Sequence, residues 1–199
     1  MKTKALFKLI LLLVFVIVFS AVLFAFTSSS TKTFEDIQKI PAQDVFTQSD
    51  QNYLVYFWQE GCKYCIEVEP DIVTYANDSS IPVYVVDMKK EANFHAWYDW
   101  EFHHDKFDVV IGKIKDGKEV YQDGIDLADY TNDAEINWSI EETEDKKIIA
   151  SHNTPYPKTA PKSTEELEIV GTPTMISVQN GAFDSYYFGV DEIRDLMTK

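Results

Sequence analysis

The stretch FWQEGCKYC, Phe57 to Cys65, holds both cysteines of a 199-residue chain. Two thiols three positions apart can be a structural clip, half of a metal site or a reactive pair. A disulfide over two intervening residues closes a very small loop. The stabilisation from a cross-link grows with loop length, so the clip reading is weak. Zinc needs about four ligands, and the chain has neither a second cysteine pair nor a histidine at finger-like spacing. A reactive dithiol remains. The preceding run NYLVYFW, Asn52 to Trp58, is apolar and rich in β-branched and aromatic residues, which predicts a central strand. From Cys62 to about Asn77, Ile66, Val68 and Ile72 mark a helix that Pro70 is expected to kink. Cys62 then stands at a helix N-terminus directly after a core strand. Unpaired N–H groups and the positive end of the helix dipole stabilise a thiolate there. A thiol so placed is the nucleophile, and Cys65, one turn further in, resolves the mixed disulfide. Lys63 favours the thiolate and Glu60 opposes it.

Working outward, IPAQDVF (40–46) reads as a short strand and IPVYVVDM (81–88) as a second core strand of the buried, parallel type. Near the C-terminus, PTMISVQNGAFDSYYFG (173–189) gives strand, Asn180-Gly181, strand, a strong hairpin signal. VDEIRDLMTK (190–199) predicts a closing helix with Asp191 as N-cap and Ile193, Leu196 and Met197 on its apolar side. About 89–168 is too long for a plain connection. Within it, KEANFHAWYDWEFHHD (90–105) predicts an aromatic helix. VVIGKIKDGKEVYQ predicts a hairpin around Asp116-Gly117, and INWSIEETEDKKIIAS a further pair of strands. HNTPYPKTAPK is a proline-broken loop, and STEELEI begins with a capping pattern at Ser163 or Thr164. Along one helix, His95, Asp99 and His103 would share a face at i, i+4 and i+8, a set that suits zinc or copper. The ordinary reading is a polar helix face, and no metal is assigned. Phe94, Trp97 and Trp100 are expected to seal the insert against the main sheet.

With FWQEGCKYC, Pro70 five positions after the second cysteine, and VGTPTMISVQNG near the end, the chain resembles the thioredoxin superfamily over about 45–88 and 165–199. The resemblance implies an α/β, thioredoxin-like fold with a large α/β insertion between the second core strand and a cis proline, here Pro173. It implies that Pro173 faces Cys62 and Cys65, that Thr172 presents its backbone to a substrate chain, and that Trp58 flanks the site. It further implies thiol–disulfide oxidoreductase activity through a Cys62–Cys65 redox disulfide, with no organic cofactor and no metal. Three departures stand out. Tyr56 occupies the place of the buried aspartate of cytosolic thioredoxins. An apolar residue near Val85 replaces their lysine. Lys-Tyr replaces Gly-Pro between the cysteines.

The first residues are MKTKALFKLILLLVFVIVFSAVLFAF. Leu9 to Phe26 is apolar apart from Ser20 and, as a helix, spans about 27 Å, near the ~30 Å of bilayer hydrocarbon. That exceeds the usual signal-peptide core of ~7–15 residues, so the run is read as a retained anchor, with secretion after signal cleavage as the alternative. Lys2, Lys4 and Lys8 ahead of it place the N-terminus in the cytoplasm. The organisation expected is 1–8 cytoplasmic, 9–26 transmembrane, 27–33 stalk, and 34–199 an extracytoplasmic thioredoxin-like domain with its insertion at about 89–168. The chain carries 18 basic and 33 acidic residues, a net charge of −15, which excludes a nucleic-acid partner and argues against adhesion to anionic lipid. The reading is thiol–disulfide exchange on exported proteins, in a bacterium, with an unidentified membrane or extracytoplasmic redox partner. A dedicated reductase, for example in cytochrome maturation, and a non-catalytic module for peptide secretion are the alternatives.

Overall fold

The computed structural model describes residues 31–198. The expected cytoplasmic N-terminus, the anchor at 9–26 and most of the stalk lie outside these residues. Among the described residues no helix is long and apolar enough to cross a membrane. In chain order the elements are β1 (Asn52–Trp58), α1 (Lys63–Asp78), β2 (Val83–Asp87), α2 (Trp100–Phe107), β3 (Val109–Lys115) and β4 (Lys118–Tyr121). There follow α3 (Ala128–Thr131), β5 (Trp138–Glu142), β6 (Lys147–His152), β7 (Thr174–Gln179), β8 (Ala182–Phe188) and α4 (Gly189–Met197). The fold is mixed α/β.

β1 is buried continuously from Tyr53 to Phe57, as a strand covered on both faces must be. It pairs parallel with β2, Tyr56 opposite Val85, and antiparallel with β7, Tyr56 opposite Met175. The sheet order is β2-β1-β7-β8. One face packs Tyr53, Val55 and Phe57 with Tyr84, Val86, Leu167 and Ile169. The other packs Leu54 and Tyr56 with Val68 and Ile72 of α1, Met175, and Ile193 of α4. Each such apolar side chain taken out of water contributes about 1.5–3 kcal/mol. α1 and α4 lie side by side, joined by Arg194 to Asp71 at 2.9 Å and to Glu67 at 3.2 Å. Asn180 and Gly181 both adopt positive φ, 52° and 73°, the conformation a two-residue turn needs to match the twist of β7 and β8.

The residues between β2 and β7 build a second sheet, order β4-β3-β6-β5. It has a small core of its own around Ile111, Ile148 and Ala150, flanked by Tyr121, Leu127, Tyr130 and Trp138. Asp116 (φ 54°) and Gly117 (φ 73°) turn its first hairpin. Trp97 packs onto the core of the first sheet, and Trp100 donates to Val170 O at 3.1 Å.

Five local expectations fail. IPAQDVF is a single 3₁₀ turn at Ala42–Asp44, not a strand. Pro41 has no N–H to give a ladder, and Ala42 N–H is taken by Asn93 Oδ1 at 2.8 Å. The 90–105 helix is two pieces, a 3₁₀ segment Glu91–Ala96 and α2, because Tyr98 N–H leaves the helical ladder to bond Ile169 O at 3.0 Å. Phe94 is exposed and seals nothing. α4 begins at Gly189, with Phe188 as N-cap three residues ahead of Asp191, which lies in its first turn. Glu192 reaches back to accept from Phe188 N at 2.8 Å. STEELEI shortens to a 3₁₀ turn, Thr164–Glu166, in which Ser163 makes no side-chain cap.

Candidate functional site

β1 delivers the chain to the site, and the turn Gln59–Cys62 closes with Cys62 N–H on Gln59 O at 3.3 Å. Cys62 is the N-cap of α1. Its backbone is extended, and its Sγ accepts the Cys65 N–H at 3.2 Å, the place a serine or aspartate oxygen takes in other helices. The sulfur thus meets an unpaired first-turn donor head on, and negative charge there is stabilised by that bond and by the helix dipole. Both cysteines are free; Cys62 is half-buried and Cys65 is fully buried, at 0% exposure.

Across from them lies the loop before β7. The Thr172–Pro173 bond is cis, and Thr172 O receives the Cys62 thiol at 3.4 Å. The loop is fixed at both ends: Thr174 Oγ1 donates to Gly171 O at 2.7 Å, and Gly189 N–H of α4 donates to Pro173 O at 3.0 Å. Cys62, Cys65 and the Thr172–Pro173 segment therefore form one site, though 110 residues separate Cys62 from Thr172.

The two thiols are made unequal by their surroundings. Burial pushes the Cys62 pKa up, but hydrogen bonds from the side chains of Cys65 and Thr172 and from the backbone N–H groups of the first turn outweigh it, and the net shift is downward. Cys65 moves the other way, to about 11, chiefly because it is buried and secondarily because its proton bonds Cys62. The first gives up its proton more readily than an ordinary cysteine, and the second holds its proton. That is the division of labour a nucleophile and a resolving thiol require.

Beneath Cys65 lies Tyr56, fully buried, its hydroxyl donating to Cys65 O at 3.4 Å. Burial first, then the field of Cys65, pushes its pKa far up, so it stays a neutral phenol. Trp58 closes β1 and turns inward: its ring lies 5.3 Å from Phe34, with the Lys39 ammonium 5.6 Å from its ring centre. Its indole Nε1 is buried without a partner among the described residues.

The helix break disperses the trio His95, Asp99 and His103. His95 Nδ1 bonds Ala92 O in its own turn at 3.0 Å, and Asp99 caps α2 through Phe102 N at 2.9 Å. His103 is buried against Tyr98 and His152. Among the described residues no three histidine, cysteine or carboxylate side chains group to hold a metal. Sequence reasoning missed His152, Tyr98 and Ser151 altogether, since their partners lie far along the chain.

No protein-family model matches the chain, and no curated protein matches it. Solved structures do. A mutant thioredoxin from Halobacterium salinarum is 14% identical with a TM-score of 0.38, covering 84% of this chain and 93% of that one. Mitochondrial thioredoxin 3 from Saccharomyces cerevisiae, in its oxidized form, is 8% identical with a TM-score of 0.41, covering 84% and 96%. Thioredoxin f2 from Chlamydomonas reinhardtii is 10% identical with a TM-score of 0.38, covering 81% and 94%.

Proposed function

We propose that this protein carries out thiol–disulfide exchange on exported proteins, through a Cys62–Cys65 couple held outside the cytoplasm by an N-terminal membrane anchor. One observation carries the chemistry: a half-buried thiol of lowered pKa caps a helix, one turn from a buried thiol of raised pKa. In the reducing direction the Cys62 thiolate attacks one sulfur of a target disulfide. A Cys62–target bond forms, the target S–S bond breaks, and the second target sulfur leaves as a thiolate. Cys65 then loses its proton and attacks Cys62 Sγ. The Cys62–Cys65 disulfide forms, and the remaining target thiolate leaves. Two electrons pass to the target. The oxidising direction is the reverse. Thr172 and Pro173 shape the docking surface, with Trp58 packed behind it.

The location rests on the lysine-led apolar run at the N-terminus, and the choice of exported targets follows from that location. An extracytoplasmic or membrane partner then restores the couple after each cycle. The test is a trap. In Cys65→Ala the attack proceeds but release does not, so exported proteins accumulate as reducible adducts on Cys62. Changing Cys62 as well abolishes them. No adduct on any variant, with no exchange activity in the purified protein, leaves a binding module for peptide secretion as the surviving reading.

A further inference from the structure

Three of the four histidines in the sequence meet at one place, between α2 and the end of β6. His103 and His152, 1% and 3% exposed, face each other with His103 Nε2 2.9 Å from His152 Nδ1. Their outer nitrogens are also engaged: His103 Nδ1 with Tyr98 OH at 2.7 Å, and His152 Nε2 with Tyr156 OH at 3.1 Å. One assignment of protons satisfies every group. His103 Nε2–H donates to His152 Nδ1, Tyr98 O–H donates to His103 Nδ1, His152 Nε2–H donates to Tyr156 O, and Tyr98 O accepts from Tyr156 N–H at 3.1 Å. Both rings are then neutral, and His103 Nε2–H also lies 3.1 Å from His152 O, which keeps its proton on that nitrogen. A proton on His152 Nδ1 sets two donors face to face unless His103 moves its own proton to Nδ1, which turns the Tyr98 O–H out of its bond and leaves a bare His103 Nε2 against His152 O.

The charged groups around the pair offset its burial only in part: the field of Asp108 favours a charged His103, that of His104 opposes it, and burial outweighs both. Asp108 spends its carboxylate on His152 N–H at 2.8 Å, Ser151 Oγ at 3.0 Å and His104 Nδ1 at 3.0 Å, and bonds neither ring of the pair. Asp133 bonds the Trp138 indole, whose ring meets His152 edge-on at 4.9 Å. Asp99, Lys106 and Glu168 line a cleft of about 200 Å³ beside His103 and Tyr156 without bonding a ring nitrogen. Burial, then the neighbouring His152, hold the His103 pKa below its ordinary 6.5.

The pair sits at a joint. The second sheet has its own small core, and here it is fastened to α2. The segment around the start of α2 also holds the stretch that leads to the thiol site: Ile169 N–H bonds Ala96 O at 2.8 Å, Tyr98 N–H bonds Ile169 O, and Trp100 Nε1 bonds Val170 O. Trp100 lies edge-on to His103 at 5.2 Å, and two residues past Val170 is Thr172, against Cys62.

We infer that the His103–His152 pair is a proton-sensing joint that opens in mild acid, releasing the second sheet from α2 and loosening the Val170–Thr172 segment at Cys62. The regulatory part rests on the proposed exchange function. The sign follows from linkage. His103, held neutral in the fold but free to charge when released, keeps the joint closed above about 6.5. Below that value the released His103 favours opening by up to about tenfold per pH unit.

Amide hydrogen exchange of the full chain between about pH 7.5 and about pH 5, corrected for intrinsic rates, reads the joint directly. Opening in Trp100–Phe107 and Lys147–His152 should rise up to about tenfold per unit below about 6.5 while β1 stays protected. In the same window the rate per Cys62 thiolate should fall for a cysteine-bearing peptide disulfide, which needs Thr172, and hold for a small aromatic disulfide, which does not. His103→Gln should make opening independent of pH, and His95→Gln should leave the response intact. Protection that is flat with pH in the wild-type chain overturns the joint, whether or not His103→Gln folds. Opening with no change in the peptide rate overturns the link to the site. If neither disulfide reacts at any pH, the exchange function fails and the amide data alone judge the joint.

Discussion

Replacing Cys62 by serine leaves Cys65 as the only thiol in the chain. The change removes the hydrogen bond and the charge of its neighbour but keeps burial, the largest cause of the raised Cys65 pKa. At about pH 8 an ordinary thiol of pKa 9.0 is ~10% ionised, whereas one near 11 is ~0.1% ionised, a hundredfold difference. Nucleophilicity rises with basicity at a Brønsted slope of ~0.4–0.5, so two pKa units return a factor of roughly ten. With the Cys62 hydrogen bond and charge gone, ionisation alone makes Cys65 up to about tenfold slower than an ordinary thiol, and its complete burial slows it further. Cys62 in the Cys65→Ser variant should alkylate at least as fast as a free thiol. Labelling with iodoacetamide, followed by intact mass, measures both rates on the folded protein. Equal rates, or a faster Cys65, would refute the unequal pair.

Other consequences are structural. A Cβ on Gly112 would stand 2.7 Å from Val120 O and 3.1 Å from Tyr121 Cα, both backbone, so Gly112→Ala should destabilise the second sheet by about 1–3 kcal/mol in urea titration. Asn93 is buried, accepting from Ala42 N–H and donating to Asp87 O, so Asn93→Ala strands two polar groups at about 1–3 kcal/mol each. Ile72→Ala, in the core between α1 and β1, should cost about 2–5 kcal/mol by the same measurement, with Cys62 still labelled in the folded fraction.

The first sheet and the dithiol were legible in the sequence because their signals are local. NYLVYFW and IPVYVVDM announce buried strands by composition, and Asn180-Gly181 and Asp116-Gly117 announce turns by the φ they tolerate. The helix after Cys62 follows from its apolar spacing. What stayed hidden depends on distant partners. Nothing in KEANFHAWYDWEFHHD says that Tyr98 N–H will leave its helix for Ile169, and nothing in the spacing of His103 pairs it with His152, 49 residues on. The turn at Ala42–Asp44 was read as a strand: Pro41 gives no N–H to a ladder, and the partner of Ala42, Asn93, lies in the insert. Local chemistry identified the thiols, and long-range pairing decides what surrounds them.

The most direct test of the thiol couple is its redox titration. The full chain is equilibrated in thiol–disulfide buffers of graded potential, quenched in acid, alkylated and weighed. The account predicts one two-electron transition between free Cys62 and Cys65 and their disulfide, with a midpoint in the working range of about −270 to −120 mV. A value at the negative end marks a reductant and one at the positive end an oxidant. A pair that forms no disulfide at any potential, or one that stays oxidised well below about −300 mV, would contradict a working couple.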